Sequence, residues 1–150
     1  MSARRQLVRV LDANINRAQE ALRVCEDVVR LGLSSSGPFR RLRALRHALG
    51  DAVRRLPVSP LERLHARDTL RDPGRRARPA SVASLEQLLL INFQRTKEAL
   101  RVLEESSRLV APRYVTSFQQ LRFRTYDVER SLLIHVATIR HRRPVRRARP

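Results

Sequence analysis

One pattern, N-x-x-R-x-x-E-A-L-R-V-x-E, occurs twice in this chain, at residues 14–26 and again at 92–104. A duplication of that length commits both copies to one local structure, and each copy then needs the same kind of burial. The letters around the first copy choose the structure. Leu11, Ile15, Ala18, Leu22, Cys25 and Val29 recur at spacings of four and three, the helical period. The correspondence continues through Asp27 and Glu105, Arg30 and Arg108, and Leu31 and Leu109. With a shift of one more residue, Phe39-Arg-Arg-Leu-Arg aligns with Phe118-Gln-Gln-Leu-Arg. Each half therefore reads as a helical hairpin. The predicted fold is an all-α bundle of two repeated hairpins, about 7–56 and 81–139, packed about a pseudo-twofold axis.

Local signals set the expected boundaries. Asp12 is placed to cap the first helix, and Gly32 with Ser34-Ser35-Ser36-Gly37 to end it. Pro38 suits the opening turn of a second helix, which carries Leu42, Leu45, Leu49, Val53 and Leu56 and stops before Pro57. Residues 57–80 hold Pro57, Pro60, Pro73, Gly74 and Pro79 and read as a long connector with one helical turn near Leu61–His65. Ser84-Leu85-Glu86-Gln87 is a capping-box signal for a third helix reaching Val110. A fourth spans about Thr116–Ile139. A single domain over 1–140 is expected, followed by a basic disordered tail at 141–150 with five arginines and two prolines.

Composition narrows the partners. The formal net charge of +18 invites a nucleic-acid reading, but Lys97 is the only lysine among 32 basic residues. An arginine excess spread along the whole chain is a general feature of this sequence rather than a stripe aimed at a duplex. It suits an anionic small molecule such as a nucleotide or phosphate ester, and nucleic acid is the weaker expectation. Cys25 stands alone, which excludes an intrachain disulfide and a cysteine zinc site, and a reducing cytoplasm is the compartment expected. No apolar run approaches the length of a membrane span or signal peptide.

The polar residues of the repeat carry the candidate chemistry. At about 100° per residue, Asn14 falls inside the apolar arc, Arg17 stands beside it, and Glu20 lies within i,i+3 reach of Arg17. Asn92, Arg95 and Glu98 repeat the set. Charges on a packed face need partners, and two arrangements supply them. In one, the triads bond to each other and lock two central helices; in the other, they converge on a ligand, as bundles do for phosphates and metals. Arg23, Glu26, Arg30 and their mates are expected to face solvent. The connector run His65-Ala-Arg67-Asp68-Thr69-Leu-Arg-Asp72-Pro-Gly74 has the composition of a phosphate-covering loop. There is no Walker A, no dinucleotide fingerprint and no H-E-x-x-H, and the four histidines are scattered.

The segments L-D-A-N-I-N-R-A-Q-E-A-L-R-V-C-E-D at 11–27, A-R-D-T at 66–69, N-F-Q-R-T-K-E-A-L-R-V-L-E-E at 92–105 and R-F-R-T-Y-D-V-E at 122–129 resemble one helical domain. That domain occurs alone or fused ahead of the barrel of thiamine phosphate synthase, and the resemblance covers about residues 7–132. It implies a stand-alone hydroxymethylpyrimidine phosphate kinase, which uses ATP and Mg²⁺ to convert the pyrimidine monophosphate to its diphosphate in thiamine biosynthesis. The roles implied are phosphate clamping by Arg17 and Arg95, and orientation or Mg²⁺ binding by Glu20 and Glu98. Asn14 and Asn92 would hydrogen-bond the pyrimidine or a phosphate. Arg67, Asp68 and Thr69 would bind nucleotide, with Asp68 and Asp72 bringing Mg²⁺ or closing the site. The family's loop tends to read R-D-T-P-G-D-V-G-T; here it reads R-D-T-L-R-D-P-G-R, with Arg71 at the first glycine and Arg75 at the last threonine. The alternative is a non-catalytic helical module that binds an anionic ligand or assists a thiamine enzyme. Either form could complete its site as a homo-oligomer.

Overall fold

In the computed structural model, which describes residues 2–142 and side chains through residue 138, the chain is all helix and loop. Five α-helices run in order: α1 Ala3–Asp27, α2 Ser36–Arg54, α3 Pro60–Ala66, α4 Leu85–Val110 and α5 Val115–Arg142. The helix α1 packs on α4, α4 on α5, α5 on α2 and α2 on α1, which closes a four-helix bundle; α3 lies against α1. No described helix is long and apolar enough to cross a membrane.

The stripe Val8, Leu11, Ile15, Ala18, Leu22, Cys25 and Val29 is buried, as its spacing requires. It meets Leu89, Phe93, Leu100 and Leu103 of α4, with Leu42, Leu45 and Leu49 of α2 and Phe118 and Leu132 of α5 completing the core. Each fully buried Leu or Phe contributes roughly 2 kcal/mol of transfer free energy. The Cys25 thiol sits inside this core, where burial first and the charge of Glu129 second push it up to about 12. It stays a protonated, unreactive thiol.

Three boundaries differ from those read in the sequence. The first helix starts at Ala3, because Ser2 Oγ accepts from the Arg5 N–H and caps it there. Asp12 therefore lies mid-helix, buried, with a different use. A single π-turn, Val28–Gly32, follows α1, and Ser34 takes the left-handed conformation (φ 50°) that turns the chain into α2. The helix α5 continues through His141 and Arg142, and the rest of the expected basic tail lies outside the described residues. Ser84 caps α4 as expected, its Oγ accepting from Gln87 N–H, while Gln87 Oε1 accepts from the Ala83 N–H.

Glu26 and Glu104 correct the expectation of a solvated outer face. Both are buried, at 2% and 4% exposure. Glu26 accepts from Arg46 of α2 at 2.5 and 3.3 Å, and Glu104 from Arg122 of α5 at 2.9 and 3.5 Å. Each forked pair ties a long inner helix to its hairpin partner. The same turns carry Arg23 onto Glu26 and Asp27, and Arg101 onto Glu104 and Glu105. Arg23 and Arg30 are exposed as expected.

Burial works to raise the Glu26 carboxyl, but the hydrogen bond and charge of Arg46, helped by Arg23 and Arg43, outweigh it. The group is held below its usual 4.5. A carboxylate depressed in the fold stabilises above its unfolded value and loses that contribution as pH falls through the folded one. Glu26→Gln should lower the unfolding free energy by roughly 2 kcal/mol at neutral pH, measured by chemical denaturation. The deficit should shrink as the pH drops below 4.5. A deficit that does not change with pH would assign Glu26 a packing role only.

Candidate functional site

Two contacts fix how α1 lies on α4. Cys25 Sγ donates weakly to the Leu89 carbonyl at 3.9 Å, and a Cβ at Gly32 would stand 3.1 Å from Leu85 Cδ1. Numbers rise along one helix as they fall along the other, so the pair is antiparallel. With Cys25 opposite Leu89, the helices meet their own repeat-mates at Ala18 and Thr96, both fully buried. Small side chains at that crossing let the backbones approach. Thr96 turns its hydroxyl back to the Asn92 carbonyl at 2.9 Å, so its one polar group is satisfied within its own helix.

Above this crossing the two helices leave an outward groove of about 690 Å³. Its lining is Asn14, Arg17, Glu20, Ala21 and Val24 from α1, with Asn92, Arg95, Glu98, Ala99 and Val102 from α4. Each residue of one wall has its repeat-mate on the other. The triads read from the sequence therefore share one cavity, and they do not lock the helices by bonding to one another.

The details divide by residue type. Asn14 and Asn92 are buried, at 6% and 4% exposure, and each donates one amide N–H to the carbonyl a turn earlier, Val10 and Leu88, both at 2.8 Å. Arg17, Glu20, Arg95 and Glu98 are exposed on the walls. The antiparallel register sets Arg17 across from Glu98 and Arg95 across from Glu20, with both arginines next to the axis. Neither pair closes into an ion pair among the described residues. Glu98 accepts only from Gln94 Nε2, at 2.8 Å, while Arg17, Arg95 and Glu20 hydrogen-bond to no described residue. Unpaired charges on the walls of a cavity keep their hydrogen-bonding capacity available.

The apolar floor, Ala21, Val24, Ala99 and Val102, belongs to the site although its periodicity reads as core. The signal was present, since these four are repeat-mates that sit beside the polar triad in both copies. At the Glu20 and Val24 end the groove runs into a second hollow of about 640 Å³, lined by Gln19, Arg23, Arg46, His47, Gly50 and Arg54. In the other half the corresponding positions carry bulkier side chains. Gln19, His47 and Gly50 align with Lys97, Tyr126 and Glu129, and there Lys97 pairs with Glu129 at 2.7 Å with its ammonium 5.1 Å from the centre of the Tyr126 ring.

The connector does not line the groove, although the charge of Glu20 on the groove wall reaches Arg67. Arg67 commits its guanidinium to buried Asp12, at 2.7 and 3.0 Å, and this contact holds it firmly charged. Arg9 donates to the Asp68 carbonyl at 2.8 Å. The Asp68 and Asp72 carboxylates accept from N–H groups of their own turns, at Arg71 and Gly74, and Thr69 is exposed. None of Arg67, Asp68, Thr69 and Asp72 lines the groove. Among the described residues, no group of three His, Cys, Asp or Glu is arranged to hold a metal ion by itself.

Against known families, the ThiD2 family matches residues 9–131, including both copies of the repeat and the connector. The chain belongs to the ThiD2 family. Relatives of this ThiD2 chain include the thiamine-phosphate synthase of Nostoc punctiforme, 38% identical over 130 residues that cover 85% of this chain and 35% of that protein. The thiamine-phosphate synthase of Gloeobacter violaceus is 37% identical over 133 residues, 82% of this chain and 35% of its own length. That of Rhodopirellula baltica is 33% identical over 141 residues, 92% of this chain and 37% of its own. The ThiD2 chain thus spans about a third of the length of these relatives, and what it shares with them is a thiamine-biosynthesis-related domain. No solved structure matches it.

The Arg67–Asp12 fork makes the connector testable. Arg67→Ala leaves a buried carboxylate without its partner, a loss of about 2 kcal/mol, and frees the segment that follows. Limited proteolysis within residues 70–83 should then speed up, whereas Arg71→Ala should leave the rate unchanged. If the Arg67→Ala chain is cut no faster than its parent, the connector is held by something else.

Proposed function

We propose that this ThiD2 chain is a phosphotransferase that uses ATP and Mg²⁺ to convert hydroxymethylpyrimidine phosphate to its diphosphate. One observation supports the reading above the others: Arg17 and Arg95 line one groove from opposite walls, hydrogen-bonded to no described residue, with Glu20 and Glu98 on the same walls. Phosphoryl transfer asks a protein mainly for positioning and charge neutralisation, because the transferred group spreads negative charge over its oxygens. Two planar guanidiniums beside a symmetry axis serve that need, each forking onto phosphate oxygens. The buried face of the bundle behind them excludes water from one side, which strengthens both contacts.

The residues present fit Mg²⁺ in its usual nucleotide role, where one or two carboxylates suffice and substrate phosphates supply other ligands. Glu20 and Glu98 are the carboxylates on the groove walls and would hold it. When bound, the ion neutralises charge shared between donor and acceptor phosphates. Asp68 and Asp72 cap their own turns and are better assigned to shaping the connector.

That use of the connector favours a second reading, a non-catalytic module that binds an anionic ligand in the same groove. The two separate in one assay. Wild-type protein with ATP, Mg²⁺ and hydroxymethylpyrimidine phosphate should release ADP and form the diphosphate, and a binding module would do neither. Arg17→Ala and Arg95→Ala should each cut turnover by more than tenfold, about 1.4 kcal/mol or more of lost transition-state stabilisation. Circular dichroism should stay unchanged, since neither arginine has a partner in the fold to lose. Near-normal turnover in both variants would sink the assignment.

A further inference from the structure

The two asparagines are the groove's most buried polar groups, and their hydrogen bonds fix what they present. An amide nitrogen carries two hydrogens. One goes to the Val10 or Leu88 carbonyl at 2.8 Å, and only the nitrogen can make that bond. The carbonyl oxygen accepts no hydrogen bond from a described residue, and the second N–H donates none to one. What each Asn shows the groove is one acceptor beside one donor, locked in orientation. That edge complements a ring nitrogen next to an exocyclic amine.

The surroundings suit a flat ring. By the antiparallel register, Asn14 lies across from Ala99 and Val102, and Asn92 across from Ala21 and Val24, so each amide edge has an apolar wall facing it. The two asparagines stand roughly 12 Å apart along the helices, about eight residues of ~1.5 Å rise. Arg17 and Arg95 lie between them. From end to end the groove therefore reads ring edge, phosphate, phosphate, ring edge.

We infer that the groove binds two amino-substituted nitrogen heterocycles head to head, Asn92 reading the nucleotide base and Asn14 the pyrimidine, with their phosphates meeting at the two arginines. The inference rests on the kinase reading for its pairing of substrates. Adenine and the aminopyrimidine of the acceptor both carry a ring nitrogen beside an amine, which is why a duplicated Asn can serve both. The assignment of ends comes from size. A hollow of about 640 Å³ opens at the Asn92 end, past Glu20 and Val24, and gives the larger nucleotide room there, whereas the matching positions beside the Asn14 end carry the Lys97–Glu129 pair and Tyr126.

Binding tests this without requiring turnover. In titration calorimetry, wild-type protein should bind ATP about tenfold to a hundredfold more tightly than inosine triphosphate, which presents a carbonyl and a ring N–H at the same edge. It should prefer hydroxymethylpyrimidine phosphate over its 4-oxo analogue by a similar factor. Asn92→Leu should abolish the ATP preference alone, and Asn14→Leu the pyrimidine preference alone. The double substitution Gln19→Lys, Gly50→Glu fills the hollow with the ion pair of the other half. It should weaken ATP at least tenfold and leave the pyrimidine phosphate unaffected.

Equal binding of ATP and inosine triphosphate by wild-type protein overturns the inference, even if transfer proceeds and the kinase reading stands. A swapped pattern, with Asn14→Leu affecting ATP, overturns it too. The stated preferences with no phosphoryl transfer uphold the recognition and sink the kinase instead.

Discussion

By the register that Cys25 and Leu89 set, Ala18 and Thr96 lie opposite one another where α1 packs on α4. Both are small and fully buried, which allows a close approach of the two backbones. A larger side chain at either position would splay the longest inner helices and move every residue that faces across them. Because the crossing falls on repeat-mates, whatever one helix offers the other answers in kind. Arg17 finds Glu98 opposite, Arg95 finds Glu20, and the asparagines take the ends. The core lies on one side of this contact and the groove on the other. A single antiparallel packing event therefore builds both, and the site's geometry is as stable as the core beneath it.

The charges of the repeat are of two kinds, and the difference carries meaning. Glu26 and Glu104 are buried and forked by arginines from their hairpin partners, which satisfies them and fixes how each hairpin closes. Glu20, Arg17 and Arg95, only a turn or two away, have room and opposite charges nearby yet remain unpaired. Folding would gain by drawing them together, since even an exposed pair is worth up to about 1 kcal/mol. Left unpaired on the walls of one groove, these charges are what the proposed ligand would engage.

The duplication and its helical period were enough to give the all-α bundle, the order of its long helices and the pairing of the polar triads. What lay beyond them depended on distant partners. Whether Glu26 is buried depends on Arg46, one turn past Arg43, the residue that aligns with Arg122 in the other half; the repeat alone therefore points to the wrong arginine. Asp12 resembles a helix cap until Arg67, 55 residues on, is seen to reach it. The connector's phosphate-binding look was compositional, and composition cannot say whether a carboxylate faces a ligand or its own turn. Ala21 and Val24 were visible as apolar residues but not as a floor, because a groove and a core satisfy the same periodicity.

A groove made by duplication begins with two identical ends, and the proposed pair of different substrates would need them to differ. The second half creates a difference by placing Lys97, Glu129 and the ring of Tyr126 at these positions. The first half keeps Gln19, His47 and Gly50 at those positions and leaves the hollow open. Three substitutions thus break the symmetry beside the site without touching the triads that line it. Recognition stays duplicated while the space behind it does not. Under the proposed reaction, a donor and an acceptor that share one ring edge but differ in bulk would be told apart by room alone, with their phosphates meeting at the same pair of arginines.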